Sequence, residues 1–146
     1  LLVPFQDPEN VGTVIRSAAA FGVDRVVLLE ECAHPYHPRA LRASAGAVLG
    51  VDLFEGPALN GVPDHPALVC LSPEGRDIAG FTFPEVFMLL PGIEGAGLPA
   101  RFRDRALSIP VSAAVESLNS ATATAITLYL WCQPRPDPGG RHGSIR

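Results

Sequence analysis

Apolar side chains along this chain follow two distinct rhythms. Continuous runs at Val26 to Leu29, Leu68 to Leu71 and Val86 to Leu90 are each bounded by charged, proline or glycine residues, the pattern of strands buried on both faces of a parallel sheet. Between the opening Leu1 to Val3 and the first of these runs, Val11, Val14, Ile15, Ala18 and Phe21 recur at spacings of three and four, and Gly22 follows. That spacing predicts a helix joining two strands, a βαβ unit. A second helix is expected from Pro38 to about Val48 and a third around Pro99 to Arg105, proline suiting a first helical turn. Pro57 to Pro66 carries three prolines and a glycine and reads as a loop.

Toward the end, Leu118, Ala121, Ala125 and Leu128 share one helical face, and Ile126, Tyr129 and Leu130 widen it toward apolar all round. A helix of that kind is expected to be buried on more than one side. After Gln133 only proline, glycine and arginine without periodicity remain, so residues 1–133 are expected to form one domain and 134–146 a disordered tail. Strands alternating with helices make the class α/β, with a mostly parallel sheet and helices on both faces.

Composition narrows this picture. With 146 residues, 47% apolar, 18% charged and a mean hydropathy of +0.23, the chain has enough apolar surface for one core and is not disordered. No apolar run approaches the roughly 20 residues of a membrane helix. The net charge is −4 and every basic residue is arginine, so non-specific binding of polyanions is not built into the bulk charge. Cys32, Cys70 and Cys132 are an odd, widely spaced set without CxxC. That argues against a disulfide framework and a zinc ribbon, and points to a reducing cytoplasm. The chain starts at Leu1, with no basic-then-apolar leader, and an upstream segment is expected to be missing.

Four segments carry candidate chemistry. In Asp7-Pro8-Glu9-Asn10-Val11-Gly12, Asp7 and Asn10 suit a helix cap, but Arg16 then interrupts the apolar helix, where a guanidinium snorkels or meets an anion. In Gly92-Ile93-Glu94-Gly95-Ala96-Gly97, three glycines follow a strand, the place where open α/β sheets bind nucleotides. The spacing is GxxGxG and Glu94 would repel a pyrophosphate, so a phosphate-free ligand with an adenine-like ring fits better than a dinucleotide. Ser108-Ile109-Pro110-Val111 and Glu116-Ser117-Leu118-Asn119-Ser120 lead into the last helix, and capping accounts for Ser117, Asn119 and Ser120. Cys32-Ala33-His34-Pro35-Tyr36-His37 lacks the paired spacing of a metal site and reads as a polar loop without metal.

Together these segments resemble the three motifs of the SpoU (TrmH-like) branch of the SPOUT methyltransferases. The first is Asp7 through Ala18 with Phe21-Gly22, the second Leu89 through Leu98, and the third Ser108-Ile109-Pro110 through Val115-Glu116-Ser117-Leu118-Asn119, in the family's order. Arg42-Ala43-Ser44-Ala45-Gly46-Ala47 is similar to the family's sequence between the first two. Pro91 and Ala113 depart from its usual residues.

The resemblance implies a deep C-terminal trefoil knot and a SpoU-type catalytic domain over residues 1–133. It implies an enzyme that transfers a methyl group from S-adenosylmethionine to a ribose 2′-hydroxyl of tRNA or rRNA. It places the cofactor against Leu90, Gly92, Gly97, Ile109, Pro110 and Leu118, and the active site at Asn10, Arg16, Glu94, Ser117 and Asn119. It also implies RNA as partner, a homodimer, and neither metal nor membrane. Two alternatives stay open from the residues: a catalytically silent RNA-binding relative, and an unrelated nucleotide-dependent α/β enzyme.

Overall fold

The computed structural model describes residues 1–93, 95 and 97–133. Strand β1 (Leu2–Val3) leads to helix α1 (Pro8–Ala20), strand β2 (Val26–Leu28), helix α2 (Pro38–Ser44) and strand β3 (Leu53–Glu55). Strand β4 (Leu68–Asp77), strand β5 (Met88–Leu90), helix α3 (Ala100–Arg103), strand β6 (Leu107–Ser108) and helix α4 (Ser120–Cys132) follow. Three short 3-10 turns lie at Ala47–Leu49, Leu59–Gly61 and Ile78–Gly80.

The strands form two three-stranded parallel ladders, ordered β1-β2-β3 and β5-β4-β6, rather than the single sheet read from the sequence. Leu2 and Val3 pair with Val27 and Leu28, and Leu68 to Cys70 pair with Met88 to Leu90. The register of β4 against β6 breaks between Leu71 and Arg76, where Pro73 has no N–H to continue a ladder.

Side-chain alternation divides the core. Leu68 and Cys70 of β4 pack with Leu90, Leu98 and the fully buried Phe102 of α3 on one face. Val69 and Leu71 pack with Leu89, Leu107 and Leu128 of α4 on the other. A strand covered on both sides is why this run is continuously apolar. A further cluster joins Val3, Val11, Val14, Ile15, Ala18 and Val26 to Ala121 of α4. Helices therefore lie on both faces, as expected.

Several boundaries differ from expectation. The second helix ends at Ser44 and not near Val48, because Ala45 and Gly46 both take positive φ angles. Strand β3 was not legible, since Leu53-Phe54-Glu55 is short and largely exposed. Strand β5 begins at Met88, leaving Val86 82% exposed. Helix α4 is not enclosed: Ala121, Thr124, Thr127 and Leu128 are buried, but Tyr129 is 51% and Leu130 39% exposed. The expected tail 134–146 lies outside the described residues.

Candidate active site

The first segment is shaped at the start of α1. The Asp7 carboxylate caps the helix by accepting from the Glu9 N–H at 3.1 Å, and Pro8 occupies the first turn. Gly12 lets α1 lie directly on α2, for a Cβ there would fall on the Ala40 carbonyl oxygen. Arg39 of α2 reinforces the junction, with Nη2 3.2 Å from Asp7 and 3.1 Å from Glu9. That pair is exposed and adds little stability, but it fixes the turn carrying Asn10. Sequence reasoning missed this role of Arg39.

Asn10 is buried, and its Oδ1 accepts from Asn119 Nδ2 at 3.0 Å. Asn119 in turn caps α4, its Oδ1 accepting from the N–H groups of Ala121 and Thr122 at 3.0 and 3.1 Å. First and third segments therefore meet, and of the three capping candidates Asn119 is the one that caps. Arg16 does not lie against the apolar face. It is exposed on α1 and makes no hydrogen bond or ion pair with another described residue, which leaves its guanidinium available to an outside anion.

The second and third segments enclose a cleft of about 860 Å³. Gly92, Ile93, Gly95 and Gly97 form one wall, Ser108 to Val111 another, and Glu116, Ser117 and Leu118 close it beside Ala123 of α4. Gly92 is required by space: a Cβ there would stand 2.9 Å from the Leu71 carbonyl oxygen. Five of the six expected cofactor residues, Gly92, Gly97, Ile109, Pro110 and Leu118, line this cleft. Leu90 does not. It is fully buried beneath, in the core cluster of α3. Of the expected active-site residues, Ser117 borders the cleft and Asn119 adjoins it in sequence, while Glu94 lies outside the described residues.

Three charged groups of the cleft, Glu74, Glu116 and Arg103, were not assigned to it from the sequence. Arg103 Nε donates to the Leu98 carbonyl at 2.7 Å, holding the end of the glycine loop. Glu74 escaped notice because β4 continues past its apolar run through polar residues. Glu116 had a signal, standing beside Ser117 in the third segment.

A cleft walled by glycine backbone and by Leu71, Ile93, Ile109 and Leu118, with two carboxylates and one guanidinium, suits a ligand with a flat ring, hydroxyls and charges of both signs. It does not suit a pyrophosphate. Its size is within the roughly 300–1,000 Å³ of small-molecule sites.

Residues 1–129 match the model of the SpoU rRNA Methylase family. The chain is 60% identical over 131 residues to "Ribosomal RNA small subunit methyltransferase G 2" of Syntrophobacter fumaroxidans, a match covering 90% of this chain and 26% of that protein. It is 32% identical over 136 residues to a 23S rRNA (uridine(2479)-2'-O)-methyltransferase of Streptomyces viridochromogenes, covering 84% of this chain and 47% of that one. The solved structure of the SpoU methyltransferase AviRb from Streptomyces viridochromogenes, in complex with AdoMet, matches with a TM-score of 0.77 at 30% identity, over 90% of this chain and 55% of that one. The chain thus spans between about a quarter and about half of the length of these relatives.

Proposed function

The chain belongs to the SpoU rRNA methylase family, and from that premise we propose that it transfers a methyl group from S-adenosylmethionine to a ribose 2′-hydroxyl of tRNA or rRNA. Its fold is the α/β fold of the SPOUT methyltransferases with their trefoil knot, an exception to the rule that chains do not thread. The observation that carries the proposal is the cleft, in which the second and third sequence segments converge beside the Asn10–Asn119 link.

S-adenosylmethionine would supply the electrophilic methyl group on its sulfonium. Gly92, Gly97, Ile109, Pro110 and Leu118 would hold it, with Leu90 supporting the floor from within the core. Glu74 and Glu116 favour its positive groups, and Arg103 favours its carboxylate. The cradle offers backbone and apolar edges that would suit an adenine ring.

Arg16 acts on the RNA side. A guanidinium offers N–H donors and no acceptor, so Arg16 is read as a clamp and not as the base. It grips a phosphate next to the target nucleotide and polarises the 2′-hydroxyl, whose proton leaves to that phosphate or to water. Positioning of this kind is the main contribution of the site. Asn10 and Asn119 hold the two helices at the site, and Ser117 offers its hydroxyl to the ligand or substrate from the cleft wall. Residues 1–133 form the catalytic domain.

A homodimer completes this reading. Tyr129 and Leu130 of α4, with Val111 and Val115 of the preceding loop, leave large apolar side chains exposed, and a second copy covers them. Among the described residues no helix is long and apolar enough to cross a membrane. The three cysteines are free thiols, which supports placing the enzyme in a reducing cytoplasm.

The test pairs calorimetry with mapping of ribose methylation. S-adenosylmethionine should bind the chain, and one 2′-O-methyl mark should vanish from RNA of cells lacking the gene. Binding without any lost mark would favour a silent relative. Preference for a phosphate-bearing nucleotide would sink the methyltransferase reading.

A further inference from the structure

A second cavity, of about 500 Å³, lies at the carboxyl ends of β2 and β3. Its rim carries His34 and Tyr36, whose ring centroids are 5.6 Å apart at an interplanar angle of 53°. Tyr36 is 49% exposed, yet the loop beneath it is firmly held. The Tyr36 N–H donates to His34 Nδ1 at 3.2 Å, the Ala33 N–H to the Phe5 carbonyl at 2.8 Å and the Cys32 N–H to the Leu29 carbonyl at 2.9 Å. Pro35 between the two rings is buried. Across the cavity stand Glu30 and Glu55, which form no side-chain hydrogen bond or ion pair with another described residue.

We propose that this cavity takes an unpaired nucleobase of the substrate RNA, stacked on Tyr36 and His34 with an amino edge on the carboxylates of Glu30 and Glu55. This rests on the reading of the chain as an RNA methyltransferase. Proteins read single-stranded RNA by stacking splayed bases on aromatic rings and bonding their edges, and a carboxylate accepts from the exocyclic amine of cytosine. Two carboxylates reject the phosphate backbone, so the base enters and the backbone stays outside. They also reject uracil, whose edge offers two carbonyls around one N–H. The loop is tethered to the start of α1, the helix that carries Arg16, through the Ala33–Phe5 bond and, by way of α2, the Arg39 pairs.

The experiment titrates labelled ten-residue oligocytidylate and oligouridylate into the full chain by fluorescence anisotropy at low salt, alongside calorimetry with S-adenosylmethionine and a thermal melt of each variant. Oligocytidylate should bind several-fold more tightly than oligouridylate. Tyr36→Ala should weaken it about tenfold, the scale of one lost stacking contact. Glu55→Gln, which both donates and accepts, should bring the two oligomers close to parity. S-adenosylmethionine affinity should be unchanged in both variants. Equal binding of the two oligomers by the parent, undiminished binding by folded Tyr36→Ala, or no binding of either oligomer would overturn the proposal. The S-adenosylmethionine titration then separates that failure from failure of the methyltransferase reading.

Discussion

Asn119 Nδ2 donates to Asn10 Oδ1 at 3.0 Å, linking the cap of the last helix to the first turn of the first across 109 positions of sequence. The same amide accepts from two backbone N–H groups of α4 through its oxygen, so one side chain ends a loop and joins two helices. Removing both functions in Asn119→Ala should cost about 2 kcal/mol, roughly one for the cap and one for the hydrogen bond. Asn119→Asp keeps the capping oxygen and loses the donor, and should cost less. Urea denaturation of the three proteins checks the order, and equal stability of Asn119→Ala and the parent would remove the link from the account.

Arg16→Ala should abolish methyl transfer while leaving S-adenosylmethionine affinity within a few-fold, because Arg16 is exposed on α1 and the cleft is built from other segments. Leu118→Arg should do the reverse at the first step and block cofactor binding, placing a long charged side chain at a partly exposed position of the cleft wall. Calorimetry separates the two. An Arg16→Ala protein that is folded but binds no cofactor would show that Arg16 belongs to the cofactor side.

The parts of this structure legible in the sequence are those where one local rule decides. The valine and leucine run at Leu68 to Leu71 marks a strand covered on both faces, and the Asp7-Pro8 step marks a capped helix start. What escaped depends on distant partners. Strand β3 is largely exposed and exists through pairing with β2, and the polar half of β4 is held by β6. The burial of α4 was overestimated because an apolar periphery gives the number of faces that need cover, not whether one chain covers them. The cleft was legible as three separate segments, but Arg103, Glu74 and Leu90 could be sorted into wall and floor only after folding.

Cys32 and Cys70 should be inert in the native protein. Burial pushes the Cys32 thiol up to about 12 and the Cys70 thiol up to about 11, the latter against a smaller lowering by Arg105 that Asp64 counters, compared with about 8.5 for a free cysteine. Iodoacetamide at pH 8 should modify the exposed Cys132 alone, and all three in urea, as read by mass spectrometry. The sign for stability follows. The folded state keeps protons that the unfolded chain releases above about pH 8.5, so this contribution is complete below that pH and is lost as pH rises toward 11–12. Urea midpoints should therefore fall between pH 8 and pH 10.5, and rapid native alkylation of Cys70 would contradict the buried thiol.

The last prediction concerns RNA affinity, where net charge and family membership pull in opposite directions. The chain carries −4 overall, and most arginines among the described residues are occupied with the protein itself. Arg39 is shared between Asp7 and Glu9, Arg105 pairs with Asp64 at 2.7 Å, Arg101 donates to the carbonyls of Leu59 and Asn60, and Arg103 donates to that of Leu98. Arg25 and Arg76 lie over the rings of Phe54 and Phe81, whereas Arg16 and Arg42 are exposed with no ion pair or ring contact among the described residues. Each phosphate neutralised contributes about 0.7 to 0.9 to the logarithmic salt slope. Two such arginines from each subunit of a dimer therefore give a slope of roughly 2 to 4, and binding that is weak at physiological salt. An RNA recognised by its folded shape, or further RNA-binding segments, would have to supply the rest. A salt titration of RNA binding measures this directly. A slope near 8 with nanomolar affinity at physiological salt would mean that the internal arginine contacts give way to phosphate, and that the acidic carboxylates around them do not govern the surface.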